Sequence, residues 1–192
     1  MSTDDRKART RAKLIDAAAE AIAEKGFQRV TLDQIAAKAG LTKGAVYDNF
    51  ESKEALFFAV IAARPSHIPW PSGDKSAPLR TRARAFAAAV IEDEASRTQA
   101  PLRAEFLLYS LAHPELQPAI GAWLTEGFRH EEAALREHFA PEELPVASDR
   151  FVILLQALLP GLAFLRRQAP ELITDAAIGE IVEALLAPRN PR

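Results

Sequence analysis

Residues 151–165, FVILLQALLPGLAFL, carry no charged side chain and, wound as a helix, are apolar on nearly every face. A helix that is apolar all round has to be buried all round. In a chain of 192 residues its own domain can cover one side and a second copy of the chain the other. The run falls short of a bilayer span, which takes about 20 apolar residues. Ile178, Ile181, Val182, Leu185 and Leu186 then repeat at the helical period and add a second stripe. The two together predict half of a four-helix dimer seam, through Leu155, Leu158, Leu162, Leu165, Ile178, Ile181, Val182 and Leu185. A buried central helix in a monomer is the alternative. Pro160 removes a backbone donor and, with Gly161, should kink or break its helix. Such a bend either couples a ligand domain to the seam or has no role beyond packing.

Nothing in the chain alternates at the period of a β-strand, so the fold class is all-α. Helices are expected at about 7–25, from Lys53 to about Ala63, and at about 79–96, 101–113, 115–139, 149–168 and 174–187, with two short ones between 31 and 50. Pro101 and Pro114 suit helix starts. Pro65, Pro69, Pro71 and Pro78, with Gly73, forbid a continuous helix from 65 to 78. In that loop Trp70 either closes over a pocket or anchors the segment to the surface. The chain has no cysteine, which excludes a disulfide scaffold and thiolate metal sites and fits a reducing cytoplasm. The polar, charged N-terminus is unlike a signal peptide, so a cytoplasmic protein without a membrane anchor is expected.

The stretch Thr31–Lys53, TLDQIAAKAGLTKGAVYDNFESK, is the most informative for function. Leu32, Ile35, Ala36 and Ala39 share one face of a short helix, with Thr31 as its N-cap. Gly40 ends it where a left-handed backbone angle is needed, and Leu41 turns back onto the core. Thr42 caps a second short helix in which Val46 and Phe50 face inward, leaving Lys43, Ala45, Asp48 and Asn49 outside. Ala36 is small where two helices must cross. Gly44 costs a helix roughly 1 kcal/mol against alanine, and close approach to a phosphate backbone would explain it. Two short helices joined this way form a helix-turn-helix, whose second helix enters the DNA major groove. Before it, Leu14, Ile15, Ala18 and Ile22 stripe a first helix that Gly26 ends and Phe27 plugs. After it, Ser52 caps a fourth helix, with Glu54 in its first turn and Leu56, Phe57, Val60 and Ile61 along it.

At these residues the chain resembles the TetR family of bacterial transcriptional regulators. The likeness runs from about Lys13 to Val60 through Glu24-Lys25-Gly26-Phe27, Thr31, Ile35-Ala36, Ala39-Gly40, Lys43-Gly44, Tyr47, Phe50 and Ser52-Lys53-Glu54-Ala55-Leu56. It implies an N-terminal three-helix DNA-binding domain over residues 1–53. It also implies a helical-bundle effector-binding and dimerisation domain over 54–192, in a homodimer that binds a palindromic DNA operator. A small-molecule effector entering the second domain would release the operator, with the fourth helix as lever. By the same resemblance Thr31, Thr42 and Lys53 contact phosphates, while Lys43, Tyr47 and Asn49 reach phosphates or bases and Ala45 meets a thymine methyl. Two positions depart from the pattern. Asn49 stands where histidine is common, weakening a phosphate contact or turning it into adenine readout. Asp48 is repelled by phosphate unless it accepts from a cytosine amino group, pairs with a base such as Lys43, or stays solvated.

Charge supports this division. Residues 1–54 hold ten Lys or Arg against nine Asp or Glu, while the whole chain has a net charge of −2. Arg6, Lys7, Arg9, Arg11 and Lys13 are packed without an intervening acid, as a frayed terminus or as an arm or helix start on phosphates. Phe86, Phe106, Tyr109, His113, Trp123, Phe128, Phe151 and the lone amide Gln156 could line an effector cavity; ordinary core packing is the competing account. No cofactor is implied and no catalytic motif is present. His130, His138, Glu126 and Glu131 would be a metal cluster only if they were not a solvated helix face. A protein-binding helical adaptor and, less well supported, an all-α enzyme remain the rival classes.

Overall fold

The computed structural model describes residues 3–63 and 68–186, with the side chains of 3, 4 and 94–101 outside that description. Among the described residues the chain is helical without a strand. The order is α1 (Thr3–Lys25), α2 (Leu32–Lys38), α3 (Lys43–Tyr47), α4 (Lys53–Ala62), α5 (Leu79–Glu92) and α6 (Glu94–Leu111). It continues through α7 (Gln117–His138), α8 (Ser148–Gln168) and α9 (Asp175–Leu185). Two compact units result: Met1–Pro65 with Leu102–Pro114, and Ser66–Pro101 with Glu115–Arg192. They do not coincide with a boundary at residue 53, because α4 and the C-terminal half of α6 pack into the first unit.

Three turns shape the first unit. The Thr31 hydroxyl accepts from the Gln34 N–H at 3.2 Å and Gln34 Oε1 accepts from the Thr31 N–H at 3.3 Å, so both ends of a capping box are closed. At the other end of α2, Leu41 N–H donates to the Ala36 carbonyl and Gly40 N–H to the Ala37 carbonyl, with Gly40 at φ +66°. This is the paired bonding of a left-handed helix stop. A Cβ added at Gly40 would meet no atom within 4 Å, so only backbone strain opposes a side chain there. Gly40→Ala should therefore destabilise the first unit by about 1–2 kcal/mol. Thermal unfolding checks this, and a loss below a few tenths would show that the turn tolerates a Cβ. Thr42 and Ser52 cap α3 and α4 by accepting from Ala45 N–H and Ala55 N–H.

The core of this unit is aromatic. Phe27 stacks on Phe57 at 4.2 Å between centroids, Phe106 meets the Phe57 edge at 4.9 Å, and Tyr109 meets Phe27 at 4.8 Å. Phe27 thus plugs a core that α4 and α6 share, larger than the three-helix core expected. Glu105 accepts from the Phe27 N–H at 2.9 Å, and the Tyr109 hydroxyl donates to Glu54 at 3.0 Å. Burial pushes the Glu54 carboxyl up, but bonds from its own backbone N–H, Tyr109 and Ser52 outweigh this and hold it below its usual value.

The second unit buries Ile68, Phe86, Leu135, Phe139, Phe151, Val152, Leu155, Leu159, Ile178 and Val182 in one cluster. Several expected boundaries move. The break after α5 falls at Asp93, whose ψ of 90° leaves the helical region, and α6 runs through Pro101 instead of starting there. Pro114 opens a single 3-10 turn before α7. α8 continues past Pro160 as one helix, so no break occurs there. Pro65 and residue 187 lie outside the described residues.

Candidate nucleic-acid interface

α3 turns Val46 into the core, fully buried, and Phe50 follows at 4% exposure. Thr42, Lys43, Gly44, Tyr47 and Asp48 are left exposed on the other side, with Ala45 half-buried. A Cβ added at Gly44 would meet only the Thr42 hydroxyl, at 3.7 Å, so nothing in the fold requires glycine there. The five-residue helix is braced from two directions. Arg11 of α1 donates to the Asn49 carbonyl at 3.1 Å and lies over the Phe50 ring at 4.3 Å. Asp33 of α2 holds the Lys43 ammonium at 3.0 Å and raises its pKa, by hydrogen bonding first and charge second.

The expected contact residues therefore divide by availability. Lys43 pairs with Asp33, not Asp48, and Asp48 has no ion-pair partner among the described residues. Asn49 donates from its amide to the Ala45 carbonyl at 2.8 Å, while its Oδ1 is buried. Base readout by Asn49 would need that bond released. Lys53 donates to the Gln28 carbonyl at 3.2 Å and sits over the Phe27 ring at 4.4 Å. Burial pushes its ammonium pKa down, against the pull of Glu54 and Glu105. Thr31 and Thr42 accept capping bonds with their hydroxyl oxygens, which leaves each O–H to donate outward. Arg6, Lys7, Arg9 and Arg11 all lie on α1, which begins at Thr3, so the basic cluster belongs to the first turns of a helix and not to an extended arm. Sequence reasoning missed Asp33. An acid in the first turn of α2 reads as a dipole partner, and only the tertiary fold shows that it reaches α3.

The residues proposed to line an effector cavity do not gather in one unit. Phe106, Tyr109 and His113 belong to the first, where His113 stacks on Tyr109 at 3.8 Å. Phe86, Trp123, Phe128, Phe151 and Gln156 belong to the second; there Phe86 and Phe151 are buried core and the other three are half-buried. The imagined metal set is dispersed too: Glu126 pairs with Arg129 at 3.6 Å, and His130 is exposed. Glu131 is no part of a solvated face, being 2% exposed and accepting from Ile68 N–H at 3.2 Å and Trp70 Nε1–H at 2.9 Å. Trp70 stacks on Phe86 at 5.4 Å and on His138 at 5.5 Å, which makes it the anchor of its loop. Burial first, and then Lys75, pushes the His138 pKa down.

The seam residues need a sharper division. Leu155, Leu162, Ile178 and Val182 are buried inside the unit itself, so they are core and not free for a partner. Leu165 is 50% and Ile181 36% exposed, and Leu158 and Leu185 lie between. Ile153, Leu154 and Phe164 were missed and are 52%, 38% and 47% exposed. α8 as a whole is also long and apolar enough to cross a membrane by length and composition, contrary to the shorter run read from 151–165. The flanking residues of Ser148–Gln168 lengthen it, yet one side of it packs the core of the second unit.

A capped helix, a left-handed glycine stop and a second helix braced with its outer side bare define a helix-turn-helix DNA-binding domain. Residues 14–60 match the family described as bacterial regulatory proteins, tetR family, so the helix-turn-helix segment of the chain is similar to that family. The chain is similar to the HTH-type transcriptional regulator SrpR of Pseudomonas putida, 51% identical over 55 residues, covering 29% of this chain and 26% of that protein. It is also similar to the A-factor receptor protein of Streptomyces griseus, 26% identical over 155 residues, 80% of this chain and 54% of that one. The chain thus spans about a quarter of the first relative's length and about half of the second's. A crystal structure from Rhodococcus sp. RHA1, of a protein assigned as a transcriptional regulator, shares the fold. The TM-score is 0.75 at 21% identity, over 94% of this chain and 97% of that one.

Proposed function

We propose that the protein is a dimeric, ligand-responsive regulator of transcription that acts in the cytoplasm and represses by binding a palindromic operator through α3. The observation that carries this is the exposed outer side of α3, with Thr42, Lys43, Gly44, Tyr47 and Asp48, on a helix whose inner side is locked by Val46 and Arg11 and whose Lys43 is paired with Asp33. Phosphate contacts fix register and base contacts give sequence, and this side offers a hydroxyl, an ammonium, a phenol and a carboxylate for both tasks. Response to a small molecule is supported by the similarity to a protein named as a receptor, over 80% of this chain. Nothing in the geometry favours the adaptor reading.

The test is selection of bound duplexes from a random DNA pool, followed by affinity for the winner across a salt series. Enrichment of one palindrome is expected, with affinity falling by about 0.9 log units per log unit of salt for each phosphate neutralised. Failure to enrich any sequence, with and without candidate effectors, would overturn the reading and bring a protein-binding role forward.

A further inference from the structure

Lys43 is the only cation of α3, and it is not free. Both oxygens of Asp33 reach its ammonium, Oδ1 at 3.0 Å and Oδ2 at 3.1 Å, and both side chains are more than half exposed. An exposed pair of this kind adds little stability, because water and salt screen it. Its position is a better guide to its use. An unpaired lysine on a flexible four-carbon stem is drawn to any phosphate within reach, whatever the sequence. Held by a carboxylate, the same ammonium presents a dipole whose field dies away faster than that of a lone charge. It can gain a DNA acceptor only by loosening its hold on Asp33. That exchange is favourable where a base edge or phosphate meets Lys43 in register and unfavourable where a phosphate is pressed against the carboxylate.

We infer that Asp33 is a specificity-determining residue, restraining Lys43 so that α3 loses affinity for arbitrary DNA more than for its operator. The inference rests on the DNA-binding reading above. Asp33 itself need touch no base; it acts through Lys43 and is in that sense a positioning residue.

The experiment measures affinity across a salt series for the selected operator and for a scrambled duplex of equal length. It uses the full-length chain as wild type, Asp33→Asn, Asp33→Glu, Lys43→Ala and Asp33→Asn with Lys43→Ala. Asp33→Asn should tighten scrambled DNA about tenfold near 0.1 M salt and steepen its salt slope by about one unit, the effect of one freed cation. Operator affinity should change by less than about threefold, so the discrimination ratio falls. Asp33→Glu, which keeps the charge, should restore much of that ratio, and Lys43→Ala should abolish the effect of Asp33→Asn. Equal tightening on both duplexes, or an Asp33→Asn effect that survives in the Lys43→Ala background, would overturn the inference while leaving DNA binding intact. A wild-type protein that binds neither duplex would instead overturn the DNA-binding reading, and the inference with it.

Discussion

Glu131→Ala is expected to loosen the second unit by about 2–4 kcal/mol and to release Trp70 from its stack. The carboxylate is buried and accepts from two donors, Ile68 N–H and Trp70 Nε1–H, with no cation paired to it among the described residues. Alanine would leave both donors in an apolar setting with nothing to accept from them, at roughly 1–3 kcal/mol each. For a chain of this length about 1 kcal/mol corresponds to 2–4 °C in the melting temperature, so the shift should be readily measured. Trp70 reports the same event optically. In a Trp123→Phe background its emission should move to the red as the indole leaves Phe86 and His138. Glu131→Gln separates hydrogen bonding from charge. The amide keeps one acceptor and nearly the same volume, so it should cost less than alanine. A melting temperature within 1 °C of wild type for Glu131→Ala would mean that aromatic packing alone holds the loop.

That latch marks where sequence reading stopped. The helix-turn-helix was legible because its signals are local. Thr31, Gly40 and Thr42 act within four residues of themselves, and Val46 and Phe50 declare the inner side by period alone. Contacts across the fold carry no such mark. Glu131 has a histidine before it and a glutamate after it in a charged stretch of α7, and nothing in that stretch says that the turn of the helix aims this carboxylate inward at a proline-rich loop. Asp33 and Lys43 are ten residues apart on different helices, so no helical spacing pairs them. Pro101 misled for a different reason: proline suits a helix start without requiring one, and α6 begins seven residues earlier, at Glu94. Arg11 was read as a phosphate contact from charge and Lys53 from the family resemblance, whereas each also braces a turn through a backbone carbonyl and an aromatic ring.

Ile153→Glu with Phe164→Glu should convert the proposed dimer into a monomer and weaken operator binding by about 100-fold to 10,000-fold. α8 shows why these two positions and not the leucines first named. A helix apolar on all sides does not reveal which side its own unit takes, and Leu155 and Leu162 prove to be on that side. Ile153, Leu154, Phe164 and Leu165 remain 38% to 52% exposed, with Ala157 and Gly161 between them small enough to let a second helix approach closely. Exposed apolar side chains in such a row mark a contact surface. A carboxylate carried into an apolar seam costs several kcal/mol after relaxation, and two substitutions place four of them in one symmetric interface. Since both side chains are half exposed in the single chain, the unit's own core should survive, and the melting curve of the monomer tests that. The loss on DNA follows from losing the tether. In a dimer the second half-site is met at high effective concentration, which is worth about 10²–10⁴ in affinity without any added contact. Affinity for an isolated half-site should therefore be unchanged, and sedimentation should report a single 21.0 kDa species. If the double variant stays dimeric, the seam lies elsewhere. If it becomes monomeric yet binds the full operator as before, the two half-sites are not read by one assembled pair.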